Sequence, residues 1–410
     1  MGFSKASGLR ESLEKQEIRM SLVASLSSRA LAAPESGIVE IINHARIGGR
    51  DDLIPLWAGE GDLPSPDFIN RAASDALLGG ETFYTWQRGI PELRQALSDY
   101  YARHFAVSLP MEHFYVTGSG MHAIMMAVQA ICGPGDEMIY LSPTWPNIVS
   151  AIEISGAVAT GLPLEFTGGK WSLDFDKLEA TITPKTKGLF INTPSNPTGW
   201  TATKEDLAAI LGLARKHGLW IIADEIYARY YYGGAVRAPS FLDVSEPNDR
   251  IIYANSFSKN WSMTGWRVGW LVAPPELGQV IENLVQYSNS GVAQFMQRGA
   301  VVALNEGDAF VEENIARARQ SRDILCDILI ATNRVQTLKP EGALYAFLKV
   351  DGITDSRAAA FDIVDKVGVA LAPGSAFGKG GENFLRACFL RNPKHVEEAA
   401  TRLSTYIKAL

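Results

Sequence analysis

Cysteine is scarce in this chain. Cys132, Cys326 and Cys388 are the whole complement, an odd count with no CxxC spacing. That excludes a disulfide-stapled scaffold and a cysteine zinc site, and it suits a reducing compartment. The six histidines are scattered and never fall at HxxxH spacing, so a histidine metal motif is lacking too. No apolar run reaches the roughly 18 residues that a membrane-spanning helix needs. The N-terminal stretch "MGFSKASGLRESLEKQEIRMSLVASLSSRALAAP" has no apolar core of the kind a secretory leader carries. A cytoplasmic protein is therefore expected. Positive charge is short as well: Lys and Arg number 38 against 45 Asp and Glu, a net charge of −7, with no basic run to offset it. A nucleic-acid partner is not expected, although local cations remain free to hold small anions. Internal repeats and low-complexity linkers are also absent.

What is present is length and alternation. At 410 residues the chain exceeds what one hydrophobic core usually serves, so two domains are expected. Residues 1–35 are small and polar and read as an N-terminal arm. "SGIVEIINHARIGG" has apolar residues at helical spacing and ends at Gly48-Gly49, which predicts a helix with a glycine C-cap. "LIPLWAGEGDLPSP" reads as a short strand entering a loop. From about residue 110 short apolar runs alternate with helical stretches. The runs are "FYVT" (114–117), "EMIYL" (137–141), "AVATGLPL" (157–164), "GLFIN" (188–192), "LWIIAD" (219–224), "IIYANS" (251–256) and "VGWLVA" (268–273). This alternation predicts an α/β layer fold with a largely parallel sheet. After residue 275 the pattern is helical to about 333. "ALYAFLKV" and "FLRACFL" then read as strands and "PKHVEEAATRLSTYIKAL" as a terminal helix, which predicts a smaller α+β domain.

In an open parallel sheet, ligands bind outside the carboxyl ends of the strands. Five of the runs are followed there by polar or aromatic groups: Gly118-Ser119-Gly120, "SPTWPN", "TPSNPTG", Asp224-Glu225-Ile226-Tyr227 and "SFSK". Gly118-Ser119-Gly120 lies between a strand and a helix, where free N–H groups and the helix dipole favour a phosphate. It also fits G-x-G-x-x-A with Ala123. A dinucleotide site, however, wants an acid near the end of the next strand, and here Asp136 and Glu137 stand at that strand's start. Asp224 ends an apolar run, and a carboxylate so placed wants a cation or a capping role. Lys259 stands between Ser256 and Ser258 on one side and tryptophans and Arg267 on the other. A desolvated lysine near a second cation has a lowered pKa and acts as an amine nucleophile. Serines, N–H groups and an arginine suit a phosphate, and the lysine suits a carbonyl. Pyridoxal 5′-phosphate combines an aldehyde, a phosphate ester and a basic ring, and it would use all of these, with Asp224 at the ring nitrogen and Trp145 on the ring face.

The set "SNPTG" (195–199), "ADEIY" (223–227), "SFSK" (256–259) and "TGWRVG" (264–269) resembles the class I/II aminotransferases, fold-type I pyridoxal-phosphate enzymes related to aspartate aminotransferase. The resemblance runs from about Gly37 to Leu410. It implies a large cofactor-binding domain over 61–305, with a mostly parallel seven-stranded sheet between helices. It also implies a smaller α+β domain from 36–60 and 306–410. By the same resemblance Lys259 is the Schiff-base lysine and proton shuttle, Asp224 pairs with the pyridinium nitrogen, and Tyr227 and Asn196 bond the ring oxygen. Ser119, Gly120, Met121, Ser256, Ser258 and Arg267 form the phosphate cup, and Trp145 covers the ring. Arg386 grips the substrate α-carboxylate, with Gly59 opposite. Tyr84, in "FYTWQRGIPELRQAL", reaches the phosphate of a neighbouring subunit, which implies a homodimer.

Substrate choice departs from the family pattern. One branch binds a second carboxylate with an arginine just before a "YSN" stretch, where this chain has Leu284. Another uses a lysine in the phosphate cup, where this chain has Met121. Arg88 from the partner subunit would supply a replacement charge; Trp57 and Trp86 would instead make an apolar or aromatic pocket. Transfer of an amino group between an L-amino acid (aspartate, aromatic or neutral) and a 2-oxo acid is the expected activity. A β-eliminating lyase on the same fold is the alternative.

Overall fold

The computed structural model describes residues 22–410. The arm expected over 1–35 thus falls mostly outside the described residues; its remainder carries a short helix, Ser28–Ala32. Helix α1 (Gly37–Gly48) follows. Ser36 caps it by accepting the Val39 N–H at 3.5 Å, and it stops at Gly49, whose φ of 61° is the left-handed C-cap that glycine adopts without strain.

The seven apolar runs become the seven strands of one sheet, each within two residues of its expected limits. They are β1 (Phe114–Thr117), β2 (Glu137–Ser142), β3 (Val158–Pro163), β4 (Thr186–Asn192), β5 (Trp220–Asp224), β6 (Ile251–Ser256) and β7 (Gly269–Val272). Their order is β1-β7-β6-β5-β4-β2-β3. β7 runs antiparallel to both β1 and β6, and the other pairs are parallel, so six strands share one direction. The central runs are continuously apolar because both faces are covered, whereas the edge strand β3 is largely exposed. Successive residues of a strand enter opposite cores, as the two-residue repeat of a strand requires. Phe114 and Val116 pack in one cluster with Ile221 and Trp270, whereas Tyr115 packs in the other with Ile222 and Leu271. Helix α2 (Gly120–Ile131) lies on the second face and buries Ala123, Ala127 and Val128 there.

A four-stranded antiparallel sheet forms from the later chain in the order β8-β9-β11-β10: β8 (Val335–Gln336), β9 (Tyr345–Val350), β10 (Ala372–Pro373) and β11 (Phe384–Cys388). Ile54–Pro55 pairs in parallel with Val369–Ala370, tying the start of the described chain to this region. A third core gathers Ile41 of α1, Leu344, Leu385 and Leu403 of the terminal helix Pro393–Lys408. Phe347, Phe377 and Phe384 pack in the first core, so the two regions meet along an aromatic seam. A small hairpin, Glu165–Thr167 with Lys170–Ser172, was not anticipated. Its turn is Gly168-Gly169, both with positive φ, a pair that selects a tight hairpin turn. No described helix is long and apolar enough to cross a membrane.

Candidate active site

Because six strands share a direction, the five polar strand ends meet at one rim. A cavity of about 370 Å³ opens there. Its wall combines Asn192 of β4, Asp224 of β5 and Ser256 of β6 with Gly59, Tyr345 and Arg386 from the second region.

Lys259 follows β6 in a turn held by its own serines. The Ser256 hydroxyl donates to Ser258 Oγ at 2.8 Å and accepts the Ser258 N–H at 3.1 Å, and Tyr230 donates to the Lys259 carbonyl at 3.1 Å. The turn sends the lysine Nζ into the cavity, where it donates to the Gly59 carbonyl at 2.6 Å. Among the described residues no carboxylate bonds it. Burial lowers the Lys259 ammonium to about 8, with Arg386 and Arg267 pushing the same way and Cys388 and Glu60 opposing. Asp224 is 6% exposed, and among the described residues its carboxylate accepts only the Ile226 N–H, at 3.3 Å. Burial pushes the Asp224 carboxyl up to about 7. A carboxylate so poorly satisfied wants a cation in the cavity.

Arg386 sits mid-strand in β11, opposite Phe347, and is 2% exposed. Its guanidinium lies between the rings of Tyr345 (4.6 Å) and Phe377 (4.8 Å). It donates to Asn196 Oδ1 at 3.0 Å and to the Trp57 carbonyl, and among the described residues Nε has no partner. Asn192 sets this arrangement. Its amide donates to the Asp224 carbonyl at 3.1 Å, and its oxygen accepts the Asn196 N–H at 2.8 Å. Tyr227, two residues beyond the Glu225 turn start, places its hydroxyl 2.7 Å from that of Tyr345.

At the other end of the cavity stands the start of α2. Ser119 caps the helix by accepting the His122 N–H at 3.0 Å, which leaves the N–H groups of Gly120 and Met121 without carbonyl partners in their own helix. Glycine is required for the approach: a Cβ on Gly269 would lie 2.5 Å from the Ser119 carbonyl carbon, and one on Gly120 would lie 3.0 Å from Ser256 Cβ. Arg267, at φ 56°, lines the same end and donates to the Thr264 carbonyl at 2.6 Å.

Of the residues singled out by sequence, Lys259, Asp224, Tyr227, Asn196, Arg386 and Gly59 line the cavity, as do Gly120, Met121, Trp145, Ser256, Ser258 and Arg267. Ser119 stands just behind, committed to its cap. Tyr84 is 93% exposed and away from the cavity of its own chain. Trp57 lines the cavity and Trp86 is exposed. Arg88 pairs with Glu282 at 2.7 Å, and neither it nor Leu284 lines the cavity of its own chain. Asn192, Tyr345 and Ile38 of α1 line it without having been anticipated.

The cations Lys259, Arg267 and Arg386 outnumber the carboxylates Glu60 and Asp224, so the cavity suits an anion overall. The amine, the carboxylate awaiting a cation and the cradle of free N–H groups, serines and Arg267 fit the aldehyde, ring nitrogen and phosphate of pyridoxal 5′-phosphate. Fold and site thus define a pyridoxal-phosphate enzyme built on a mostly parallel sheet. Comparison with known proteins narrows the class. The model of the family described as aminotransferase class I and II matches residues 51–403, and the chain belongs to that family. It is an enzyme that transfers amino groups with pyridoxal phosphate as cofactor. An aspartate aminotransferase of Thermotoga maritima is 32% identical, covering 94% of this chain and 100% of the relative. Aromatic-amino-acid aminotransferase 2 of Thermococcus litoralis is 31% identical over 93% of this chain and 98% of its own. The crystal structure of aspartate aminotransferase from Thermotoga maritima superimposes with a TM-score of 0.86 at 32% identity, covering 93% of this chain and 99% of that one.

Proposed function

We propose that the protein exchanges an amino group between an L-amino acid with an aromatic or neutral side chain and a 2-oxo acid. The observation that carries this is a partly buried Lys259 amine, bonded among the described residues to a backbone carbonyl, in one cavity with Asp224 and the half-satisfied guanidinium of Arg386. Pyridoxal 5′-phosphate, when bound, supplies an electron-accepting ring that makes the Cα–H of an attached amino acid acidic. Lys259 binds the cofactor, then takes and returns the Cα proton; an amine with a pKa of about 8 is partly neutral near physiological pH. Asp224 would pair with the ring nitrogen and hold it positive. Tyr227 and Asn196 donate to the ring oxygen. The N–H groups of Gly120 and Met121 with Ser119, Ser256, Ser258 and Arg267 hold the phosphate, and Trp145 covers the ring. Arg386 fixes the α-carboxylate, with Gly59 on the other side, and so places Cα near Lys259.

The choice of donor rests on charge. With Arg267 at the phosphate, Lys259 at the reacting carbon and Arg386 on the α-carboxylate, the cations lining the cavity among the described residues are all engaged. The rest of the lining includes the apolar residues Ile38, Trp57 and Ile124, which suit an apolar side chain. We take residues 61–305 as the cofactor-binding domain, 36–60 with 306–410 as the small domain, and 1–35 as an arm. The active form in this reading is a cytoplasmic homodimer in which Tyr84 of the partner subunit reaches the phosphate; the exposure of Phe83, Tyr84, Trp86 and Tyr287 supports a face that a second copy covers. A panel of amino donors against 2-oxoglutarate and pyruvate tests the reading. Aromatic and neutral donors are expected to exceed aspartate in kcat/KM, and a clear preference for aspartate contradicts it.

A further inference from the structure

Tyr345 has no role in the scheme above, yet it touches three of its parts. Its hydroxyl is 2.7 Å from that of Tyr227. Its ring supports the Arg386 guanidinium at 4.6 Å. A Cβ on Gly59, whose carbonyl holds Lys259, would lie 2.4 Å from its hydroxyl oxygen, so Gly59 must stay glycine for Tyr345 to sit there. Both tyrosines are buried, and among the described residues neither hydroxyl has a second hydrogen-bond partner.

Two hydroxyls in contact share one bond and leave one proton over. If Tyr227 donates, the proton left over belongs to Tyr345 and faces the backbone of Gly59, where no acceptor bonds it. If Tyr345 donates, the proton left over belongs to Tyr227, beside Asp224 and at the cofactor end of the cavity. The Arg386 cation over the Tyr345 ring favours Tyr345 as the donor, since it stabilises negative charge on that ring. Of the other titratable groups facing the pair, Asp224 raises the pKa of both hydroxyls and Cys388 raises that of Tyr345.

We propose that Tyr345 is a positioning residue: its hydroxyl donates to Tyr227 and so turns the Tyr227 proton toward the ring oxygen of the bound cofactor. The inference rests on the assignment of Tyr227 made above. A hydroxyl that accepts one hydrogen bond is a stronger donor of the next. Tyr345 therefore strengthens the bond by which Tyr227 favours the deprotonated cofactor–lysine linkage.

The test is a pH titration of the visible absorption of the holoenzyme, with thermal unfolding recorded alongside. Tyr345→Phe keeps the ring beneath Arg386 and removes only the hydroxyl. It is expected to raise the midpoint by about half a pH unit. Tyr227→Phe is expected to raise it by about one unit or more, because a hydrogen bond to a charged oxygen is lost. In the Tyr227→Phe background, Tyr345→Phe is expected to add no further shift. Tyr345→Leu, which lacks ring and hydroxyl alike, gives the same spectral shift and also raises the donor KM. An unmoved midpoint in Tyr345→Phe overturns the proposal, and so does an equal shift with and without the Tyr227 hydroxyl. A midpoint indifferent to Tyr227→Phe fails the earlier assignment of Tyr227 and takes this inference with it.

Discussion

Replacing Arg386 by lysine keeps the charge and removes the fork. The guanidinium is fixed by Asn196, by the Trp57 carbonyl and by the two aromatic faces at 4.6 and 4.8 Å. A lysine ammonium on a flexible stem cannot reproduce that planar hold or a two-pronged grip on a carboxylate. The change therefore forfeits one charge-assisted hydrogen bond to the substrate, about 1.5–3 kcal/mol. At tenfold per 1.4 kcal/mol this is a rise in KM of roughly 10- to 150-fold. The α-carboxylate is common to every amino acid and 2-oxo acid, so the factor should be the same for all of them. Steady-state kinetics with three chemically different donors and 2-oxoglutarate read it directly. A rise confined to one donor, or a change below about threefold for all, would refute the role given to Arg386.

Other perturbations probe other parts. In the cofactor-free protein, Asp224 has a pKa of about 7 against an ordinary 3.8, so the folded state holds its proton over a range in which the unfolded state has lost it. Its contribution to stability is present below pH 3.8 and lost as the pH rises to about 7. Glu225, also raised to about 7, slopes the same way, so the comparison is with Asp224→Asn, which should lose its own share of the slope and gain on wild type at pH 8 in chemical denaturation. With cofactor bound, the same variant should lose most of its activity; equal slopes for the two apoproteins count against the buried carboxylate. Gly269→Ala puts a methyl 2.5 Å from the Ser119 carbonyl carbon and is expected to cost about 1–3 kcal/mol in thermal unfolding and to weaken cofactor retention. Tyr84→Phe should weaken cofactor binding while the mass by sedimentation stays at twice the 44.6 kDa chain; a monomeric, fully active wild type would contradict the shared site.

The large sheet is legible in the sequence because burial on both faces makes its central strands short, continuously apolar runs; β3, at the edge, is largely exposed and carries a less regular run. The Gly168-Gly169 hairpin is not legible because its three-residue strands carry polar residues, Glu165, Thr167, Lys170 and Ser172, and offer no apolar run. Residues that end parallel strands, Asp224 and Asn192 among them, are findable by position, although Asn192 hid inside "GLFIN" as the last letter of a strand. Tyr345 and Arg386 differ from these. They lie within strands of the small sheet, paired in register with Cys388 and Phe347, and their approach to the cavity is set by packing between regions distant in sequence. Periodicity marks Tyr345 as core, and its contacts with Tyr227, 118 positions away, and with Arg386 mark it as part of the site. Arg88 shows the converse: a charge suggestive in sequence is held by Glu282, 194 positions on.

The central claim is that Lys259 carries the cofactor, and chemical trapping tests it most directly. Borohydride reduction of the yellow holoenzyme, followed by peptide mapping, should fix one pyridoxyl group per chain on the Lys259 peptide and abolish the visible absorption change with pH. A label on another lysine, or a reduced protein with no label, would contradict the account.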